Sequence, residues 1–218
     1  MGRSRYTEEE RIQITAAFLT CTRQIIDREG LDALTIRRVA QCAGFNSATL
    51  YLYFKDIDEL ITMACIGYLE DYFHTLTEEF PEDTDPRAHY RRVWRVFMTQ
   101  AFAHPEIFLH LFFRQHSLPM HEILAHYNQL TASHPTLYGV SVPQLLMAGS
   151  LPDWNLHLMQ PLIDSQYIPA SQAGMINELM LCYFKKLLED ACGEDAPSPE
   201  TLLDKMMDLG AFLLPVRS

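Results

Sequence analysis

The nine histidines and five cysteines are the side chains best suited to metal or disulfide chemistry in this 218-residue chain. His116, His121 and His126 follow one another at intervals of five residues, whereas a zinc site on a helix uses histidines four residues apart. The cysteine count is odd, and no two cysteines have CxxC spacing. We therefore predict no metal site, no cofactor and no disulfide framework. The chain also has no nucleophile–base motif or phosphate-binding loop that would indicate an enzyme.

Polar side chains able to bind a ligand concentrate between residues 35 and 55. The apolar residues from Ile36 to Ala43 recur at helical spacing and predict one buried helix face. The same periodicity directs Arg37, Arg38 and Gln41 away from the core, toward solvent or a ligand.

This stretch also has the spacing of a helix-turn-helix, in which two short helices flank a turn that contains glycine. Thr35 and Asn46 are residue types that cap helix N-termini, and Gly44 supplies the backbone freedom of the turn. Leu50 is placed to anchor the second of these helices, which we expect to extend to about Phe54.

Helices are predicted on both sides of this motif. Thr7 and Glu10 have the spacing of a capping box, and Gly30 suits the end of the helix that follows. Another helix is predicted from about Asp56 to about Glu79. Because alternating β-type patterns are scarce, the predicted fold class is all-α.

The segment from Gly30 through Thr35, Gly44 and Leu50 to Leu60 resembles the N-terminal domain of the tetracycline-repressor (TetR/AcrR) family of bacterial transcriptional regulators. The resemblance covers about residues 7–62. Its most specific part is Thr-Leu-Tyr-Leu-Tyr-Phe at positions 49–54. It implies a three-helix DNA-binding domain, taken as residues 1–55, joined to a helical effector-binding and dimerisation domain, taken as residues 56–218.

In that family the third helix enters the major groove of DNA and the second braces it against the backbone. The resemblance therefore implies a set of DNA contacts to base edges, phosphates and sugars. These candidates are Thr35, Arg37, Asn46, Ser47, Thr49, Tyr51, Tyr53 and Lys55. Arginine can bond guanine with two hydrogen bonds, and hydroxyls can bond bases or phosphates.

Two positions depart from the family pattern. Ile57 stands where the family usually has lysine, so one phosphate contact is missing unless Lys55 replaces it. Ala48 stands where a glycine is common. Arg37 and Arg38 also fit ordinary solvated charges, and we expect one of Tyr51 and Tyr53 to pack partly against a neighbouring helix.

The net charge of −11 argues at first against a DNA-binding protein, because DNA is a polyanion. The charge is unevenly distributed, however. Residues 1–55 carry eight basic and six acidic side chains, a net +2, and the remaining residues carry nine and 22, a net −13. We therefore expect DNA contacts to be confined to the N-terminal part, with modest non-specific binding and a shallow salt dependence.

The C-terminal part is rich in large aromatic and methionine side chains, which fit either a core or an apolar pocket for a small-molecule effector. The candidate pocket residues are Trp94, Phe97, Met98, Phe108, His110, Phe112, Arg114, Trp154 and His157. Residues 139–169 contain several prolines and predict an irregular segment or short helices.

Two final helices are predicted at 170–192 and 199–214, each with a wide apolar stripe. By resemblance, these helices pair with their copies in a homodimer, and the alternative is that they only close the core of one subunit. The candidate interface residues are Ile176, Met180, Tyr183, Leu187, Leu202, Met206 and Leu213.

These features predict a cytoplasmic homodimeric repressor that binds a palindromic double-stranded DNA operator and is released by a small apolar effector. No apolar run reaches the length of a membrane span, and the acidic N-terminal stretch does not fit a secretion signal. The sequence leaves two alternatives open. One is a helical adaptor that binds a protein partner, and the other is a metal-dependent enzyme that uses the histidines.

Overall fold

The fold is known from a computed structural model that describes residues 7–79, 85–133 and 150–214. Within these ranges the chain forms ten α-helices and one short 3-10 turn, with no β-strand, which confirms the predicted all-α class. The helices are α1 Glu8–Glu29, α2 Ile36–Cys42, α3 Ser47–Leu50, α4 Ile57–Glu79, α5 Pro86–Ala103, α6 Pro105–Phe113, α7 Met120–Ser133, α8 Leu151–Asp164, α9 Ala170–Ala191 and α10 Pro199–Leu213.

The first helix begins at the predicted capping box. The Thr7 hydroxyl accepts a hydrogen bond from the Glu10 N–H, and the Glu10 carboxylate accepts one from the Thr7 N–H. The two N–H groups are backbone donors that would otherwise lack partners at the start of a helix. At the other end, Gly30 closes α1 with a hydrogen bond from its N–H to the Ile26 carbonyl.

The turn between α2 and α3 depends on Gly44. Its φ of 77° lies in the left-handed region, where a side chain is strained. The Phe45 N–H donates to the Ala40 carbonyl across this turn at 2.9 Å. A Cβ added at Gly44 would have no atom within 4 Å, so the requirement is conformational rather than steric.

The third helix is shorter than predicted, since it ends at Leu50 and not near Phe54. After Leu50 the backbone forms a tighter turn. The Leu52 N–H donates to the Thr49 carbonyl and the Tyr53 N–H donates to the Leu50 carbonyl, each three residues earlier. Such bonds are typical of a last 3-10 turn, and they change the direction of the side chains that follow.

The chain divides into two compact units, each with its own core. One unit contains the described residues of segments 1–70 and 115–142, and the other contains those of 71–114 and 143–218. These units do not follow the boundary placed after residue 55, since α7 joins the unit of α1–α3. The functional division at residue 55 stays a prediction.

The second unit is built around α5 and α9. Helix α10 packs on α5 and α9, and α9 also contacts α6 and α8. Of the segment 139–169, expected to be irregular or built of short helices, residues 151–164 form the single helix α8, and residues 139–149 lie outside the described residues. Pro152 lies in its first turn, where the missing N–H costs little, and Pro161 lies inside the helix without ending it.

No helix in the described ranges combines the length and the apolar composition needed to cross a membrane.

We expect Gly44→Ala to lower the free energy of unfolding by about 1–2 kcal/mol, because alanine disfavours the left-handed backbone at this turn. Gly174→Ala is the matched control. Gly174 lies exposed in α9, where alanine favours the helix and should stabilise the protein by roughly 0.5–1 kcal/mol. Urea denaturation of both variants measures the two opposite shifts, and equal destabilisation would contradict the conformational explanation.

Candidate nucleic-acid interface and C-terminal unit

Helix α2 presents one of its two arginines to solvent. Thr35 caps the helix by accepting a hydrogen bond from the Arg38 N–H, as predicted from its type and position. The Arg38 guanidinium pairs with Glu29 and donates to the Ala33 carbonyl, so it holds α2 against the end of α1. Arg37 is exposed, which leaves it available to a ligand.

The start of α3 is held by its own side chains. Asn46 caps the helix, and its Oδ1 accepts hydrogen bonds from the Thr49 N–H at 2.9 Å and from the Thr49 hydroxyl at 3.1 Å. Thr49 is only 7% exposed, so it cannot present its hydroxyl to a base edge as predicted. We correct that role: Thr49 stabilises the start of the helix, and Ser47 is the partly exposed hydroxyl on α3.

The outward face of α3 and its last turn is partly apolar. Tyr51 is 54% exposed and Leu52 is 64% exposed, and Ala48 lies exposed one turn before Leu52. Tyr53 is partly buried, with the Arg11 guanidinium of α1 lying 6.0 Å from its ring centroid. Tyr53 is thus the tyrosine that packs against a neighbouring helix. Leu52 and Ala48 were not among the predicted contacts.

Lys55 makes a hydrogen bond within the protein that the sequence did not indicate. Its amine donates to the carbonyl of Ser117 at 2.7 Å, although the two residues are 62 positions apart. The Lys55 side chain is exposed, so an anion can approach it. Binding a phosphate would require it to exchange or share that hydrogen bond.

A cluster of acids at the start of α4 receives hydrogen bonds from the segment that leads into α7. We call Asp56, Asp58 and Glu59 the α4 acid cluster. Ser117 donates its N–H to Asp58 at 2.8 Å and its hydroxyl to Asp56 at 3.0 Å. His116 lies 3.5 Å from Asp58. These contacts join the residues just after the helix-turn-helix to a segment about 60 positions later.

Glu59 is the buried member of the α4 acid cluster. One carboxylate oxygen accepts from the Lys55 N–H at 2.6 Å, and the other lies 2.8 Å from the Nδ1 atom of His126 in α7. Burial alone would raise the pKa of Glu59, but the hydrogen bonds from His126 and Lys55 outweigh it and hold the pKa below its ordinary value. The carboxylate is therefore charged at neutral pH and stabilises this junction as an anion.

Five of the candidate pocket residues of the second unit form an aromatic cluster around Phe97: Trp94, Phe97, Phe108, Phe112 and Trp154. The Phe97 ring lies within 5.4–5.7 Å of Phe108, Phe112, Trp154 and Phe184, measured between ring centroids. The rings come from α5, α6, α8 and α9, so the cluster joins four helices.

Burial separates the candidate pocket residues into three groups. Trp94, Phe97, Met98, Phe108 and His110 are buried, and Phe112 and Trp154 are partly buried. Arg114 and His157 are exposed, and their place in a pocket stays a prediction. The sequence pattern identified which residues are apolar but could not show which of the polar ones face inward.

A buried polar network lies beside the aromatic cluster. The Asn155 Oδ1 atom accepts hydrogen bonds from the Tyr90 hydroxyl at 3.0 Å and from the Trp94 indole at 2.7 Å. The Asn155 amide donates to Asn177 at 2.8 Å, and Asn177 donates to the Pro152 carbonyl. Burial raises the pKa of Tyr90, so its hydroxyl stays protonated as a donor. The asparagines carry no periodic signal and were missed by sequence reasoning.

The predicted dimer residues lie mainly in the core of one subunit. Buried are Ile176, Met180, Leu187, Leu202 and Met206, whereas Tyr183 and Leu213 are partly buried. The apolar stripe of each helix is thus covered within its own unit, and we correct the interface prediction accordingly. The opposite surface carries large exposed side chains: Met175 is 68% exposed, Leu179 48% and Phe212 81%.

Comparison with known proteins agrees with this geometry. Residues 18–63 match the model of the bacterial regulatory proteins of the tetR family. The chain also matches an uncharacterized helix-turn-helix-type transcriptional regulator of Haemophilus influenzae, at 28% identity over 87 residues. That match spans 40% of this chain and 46% of the Haemophilus protein, which is less than half of either.

The fold of nearly the whole chain resembles solved structures. A TetR transcriptional regulator from Rhodococcus sp. RHA1 aligns with a TM-score of 0.54 at 15% identity, over 97% of this chain and all of the other. Thermus thermophilus FadR, a TetR-family repressor solved with lauroyl-CoA, aligns with a TM-score of 0.54 at 15% identity, over 94% and 96% of the two chains. At identities this low, the two alignments show a shared fold alone.

We expect Glu59→Gln to lower the free energy of unfolding by about 2 kcal/mol at pH 7, because it replaces a buried, hydrogen-bonded carboxylate. A pKa that is lower in the folded state means that the unfolded chain binds more protons. The stabilisation is therefore complete above the ordinary glutamate pKa and is lost as pH falls through the folded value. The difference in the free energy of unfolding between wild type and variant should therefore become smaller below about pH 4.

Urea titrations between pH 7 and pH 3 measure this gap. Glu122→Gln, which changes an exposed carboxylate on α7, is the control and should alter stability little at any pH. A gap that stays constant as pH falls would contradict the role assigned to the Glu59 charge.

Proposed function

We propose that this chain, as a member of the tetR family of bacterial regulatory proteins, is a transcriptional repressor. It binds a palindromic DNA operator as a homodimer. The observation that carries the proposal is the exposed surface of α2 and α3, within the segment that matches the family model. This surface combines a guanidinium, a hydroxyl, a phenol and apolar groups, which together are the chemistry that reads a major groove.

Individual contacts follow from exposure. Arg37 is placed to bond guanine or a phosphate, Ser47 a base edge, and the Tyr51 hydroxyl a phosphate. Leu52 is suited to apolar contact with a thymine methyl group. Thr35 remains a proposed phosphate contact at the start of α2. Asn46 and Tyr53 contribute mainly by holding the helix ends in place.

Lys55 is proposed as the phosphate contact that replaces the family's usual lysine at position 57. Its amine donates to the Ser117 carbonyl, so a DNA phosphate and this carbonyl would compete for the same donor. Because the α4 acid cluster holds the same Ser117 segment, a change in that segment would alter the position of Lys55. This competition offers a physical route by which the protein's conformation affects DNA affinity.

The homodimer is proposed to form through the exposed side of α9 and α10. Met175 and Leu179 lie four residues apart and share one face of α9, and Cys182 continues that face. Exposed apolar groups arranged in this way are typical of an interface. A two-fold axis through it would present two copies of α3 to successive half-sites of a palindrome, about one helical turn or more apart.

The effector is proposed to bind at the partly buried rim of the aromatic cluster, formed by Phe112, Phe113 and Trp154. The acyl chain of the lauroyl-CoA bound by Thermus FadR suggests an apolar ligand to try first. Coupling between effector and operator is typically about 1–3 kcal/mol and is reciprocal, so DNA should weaken effector binding by the same factor.

Selection of bound sequences from a random DNA pool tests the function as a whole, and a recovered palindrome is the expected result. Arg37→Ala combined with Tyr51→Ala should then abolish binding to the selected operator, since each contact contributes roughly 1–3 kcal/mol. Gel-shift titrations against Arg91→Ala, an exposed arginine of α5, provide the control. Failure to recover any enriched sequence would favour the adaptor hypothesis.

Leu179→Glu should convert the dimer to monomers, because it places a charge in the proposed apolar interface. Analytical ultracentrifugation measures the change. Leu52→Glu is the matched control, since it alters another exposed leucine, which lies in the DNA-binding unit, and should leave the dimer intact. Dimers of unchanged stability in Leu179→Glu would place the interface elsewhere.

Titration with lauroyl-CoA should change the tryptophan fluorescence, because both tryptophans of the chain lie in the aromatic cluster, 5.9 Å apart between centroids. Trp154→Phe should remove much of the signal from the rim. The same ligand should weaken operator binding in a gel shift. Ligand binding without any change in operator affinity would contradict the proposed release mechanism.

A further inference from the structure

Two cysteines lie on helices that pack together in the helix-turn-helix unit, Cys21 on α1 and Cys42 on α2. Cys42 is the exposed last residue of α2, and its sulfur lies 3.9 Å from the Gln24 Oε1 atom of α1. Gln24 is three residues after Cys21, and residues three apart are neighbours on one side of a helix. Cys42 therefore reaches the part of α1 that carries Cys21.

The two thiols also influence each other electrostatically. Burial, together with smaller contributions from a hydrogen bond to Cys42 and from its charge, raises the pKa of Cys21 to about 12. Both thiols are free in this structure. Cys21 is 8% exposed, so its sulfur is shielded from solvent while its neighbour is open to it.

We propose that Cys21 and Cys42 are a redox-active pair that hydrogen peroxide converts to an intramolecular disulfide between α1 and α2. Neither the family resemblance nor the DNA-binding surface requires this pair. The structure supplies the two requirements of such a site, which are an accessible thiol for the first oxidation and a second thiol beside it to complete the bond.

The reaction balances in two steps. The Cys42 thiol attacks one peroxide oxygen and breaks the O–O bond, which gives a sulfenic acid on Cys42 and one water. The Cys21 sulfur then attacks the Cys42 sulfur, and the hydroxyl leaves with the Cys21 proton as a second water. Each sulfur gives up one electron overall and peroxide accepts two.

The consequence for DNA binding rests on the proposed function. A disulfide draws the two sulfurs to about 2.05 Å, closer than any non-bonded contact. This movement pulls the end of α2 toward α1, two residues before the Gly44 turn that sets the direction of α3. We expect the oxidised protein to bind its operator on the order of tenfold more weakly, within the range typical of coupled sites.

The test uses the full-length protein, reduced with dithiothreitol and then treated with hydrogen peroxide. Remaining thiols are alkylated and the protein is digested with trypsin. Cys21 lies in the tryptic peptide 12–23 and Cys42 in 39–55, each with a single cysteine. The expected product is these two peptides joined, lighter than their sum by two hydrogen atoms, and separated again by dithiothreitol.

Cys42→Ser should abolish the product, whereas Cys192→Ser, which changes an exposed cysteine at the end of α9, should leave it unchanged. Oxidation of Cys42 only to sulfinic acid, or a link to another cysteine, would overturn the proposal. Operator binding is measured before and after oxidation. Equal affinity of both forms would overturn the regulatory consequence, whereas absence of operator binding by the reduced protein would instead contradict the proposed function.

Discussion

Burial of Leu50 and Phe54 is the constraint on which the DNA-binding surface depends. Phe54 packs edge-on against Phe18 of α1, and Leu50 is fully buried. Because α3 has only four residues, these two anchors and the Asn46 cap determine where its remaining side chains point. Tyr51 and Leu52 face solvent as a result. A change in this small core would therefore act on DNA recognition without touching a contact residue.

The α4 acid cluster extends this constraint beyond the helix-turn-helix. Glu59 is charged although it is buried, because His126 and the Lys55 backbone supply hydrogen bonds that water would otherwise provide. Asp56 and Asp58 hold Ser117 at the same junction. Acids in the first turn of a helix also interact favourably with its dipole. The junction is thus specified by polar contacts with directional geometry, and such contacts have few alternative arrangements.

Much of the fold was predictable because the signals are local. The capping box at Thr7, the caps at Thr35 and Asn46, and Gly44 each act through neighbouring residues, and the structure confirms them. The sequence left an irregular segment or short helices open around Pro152, and residues 151–164 form one helix of 14 residues. Proline ends a helix only where its missing N–H or its ring conflicts with the preceding turn, and composition alone does not show that.

The sequence by itself determined the all-α class, the positions of most helix ends and the family resemblance, since these depend on periodicity and on short motifs. Only the tertiary structure decided what covers each surface. It placed the stripe of Met180 and Leu187 in the subunit core, exposed Leu179 on the other side, buried Thr49 and joined Lys55 to Ser117. An apolar stripe shows that a face is covered, but the identity of its partner depends on contacts between residues far apart in the chain.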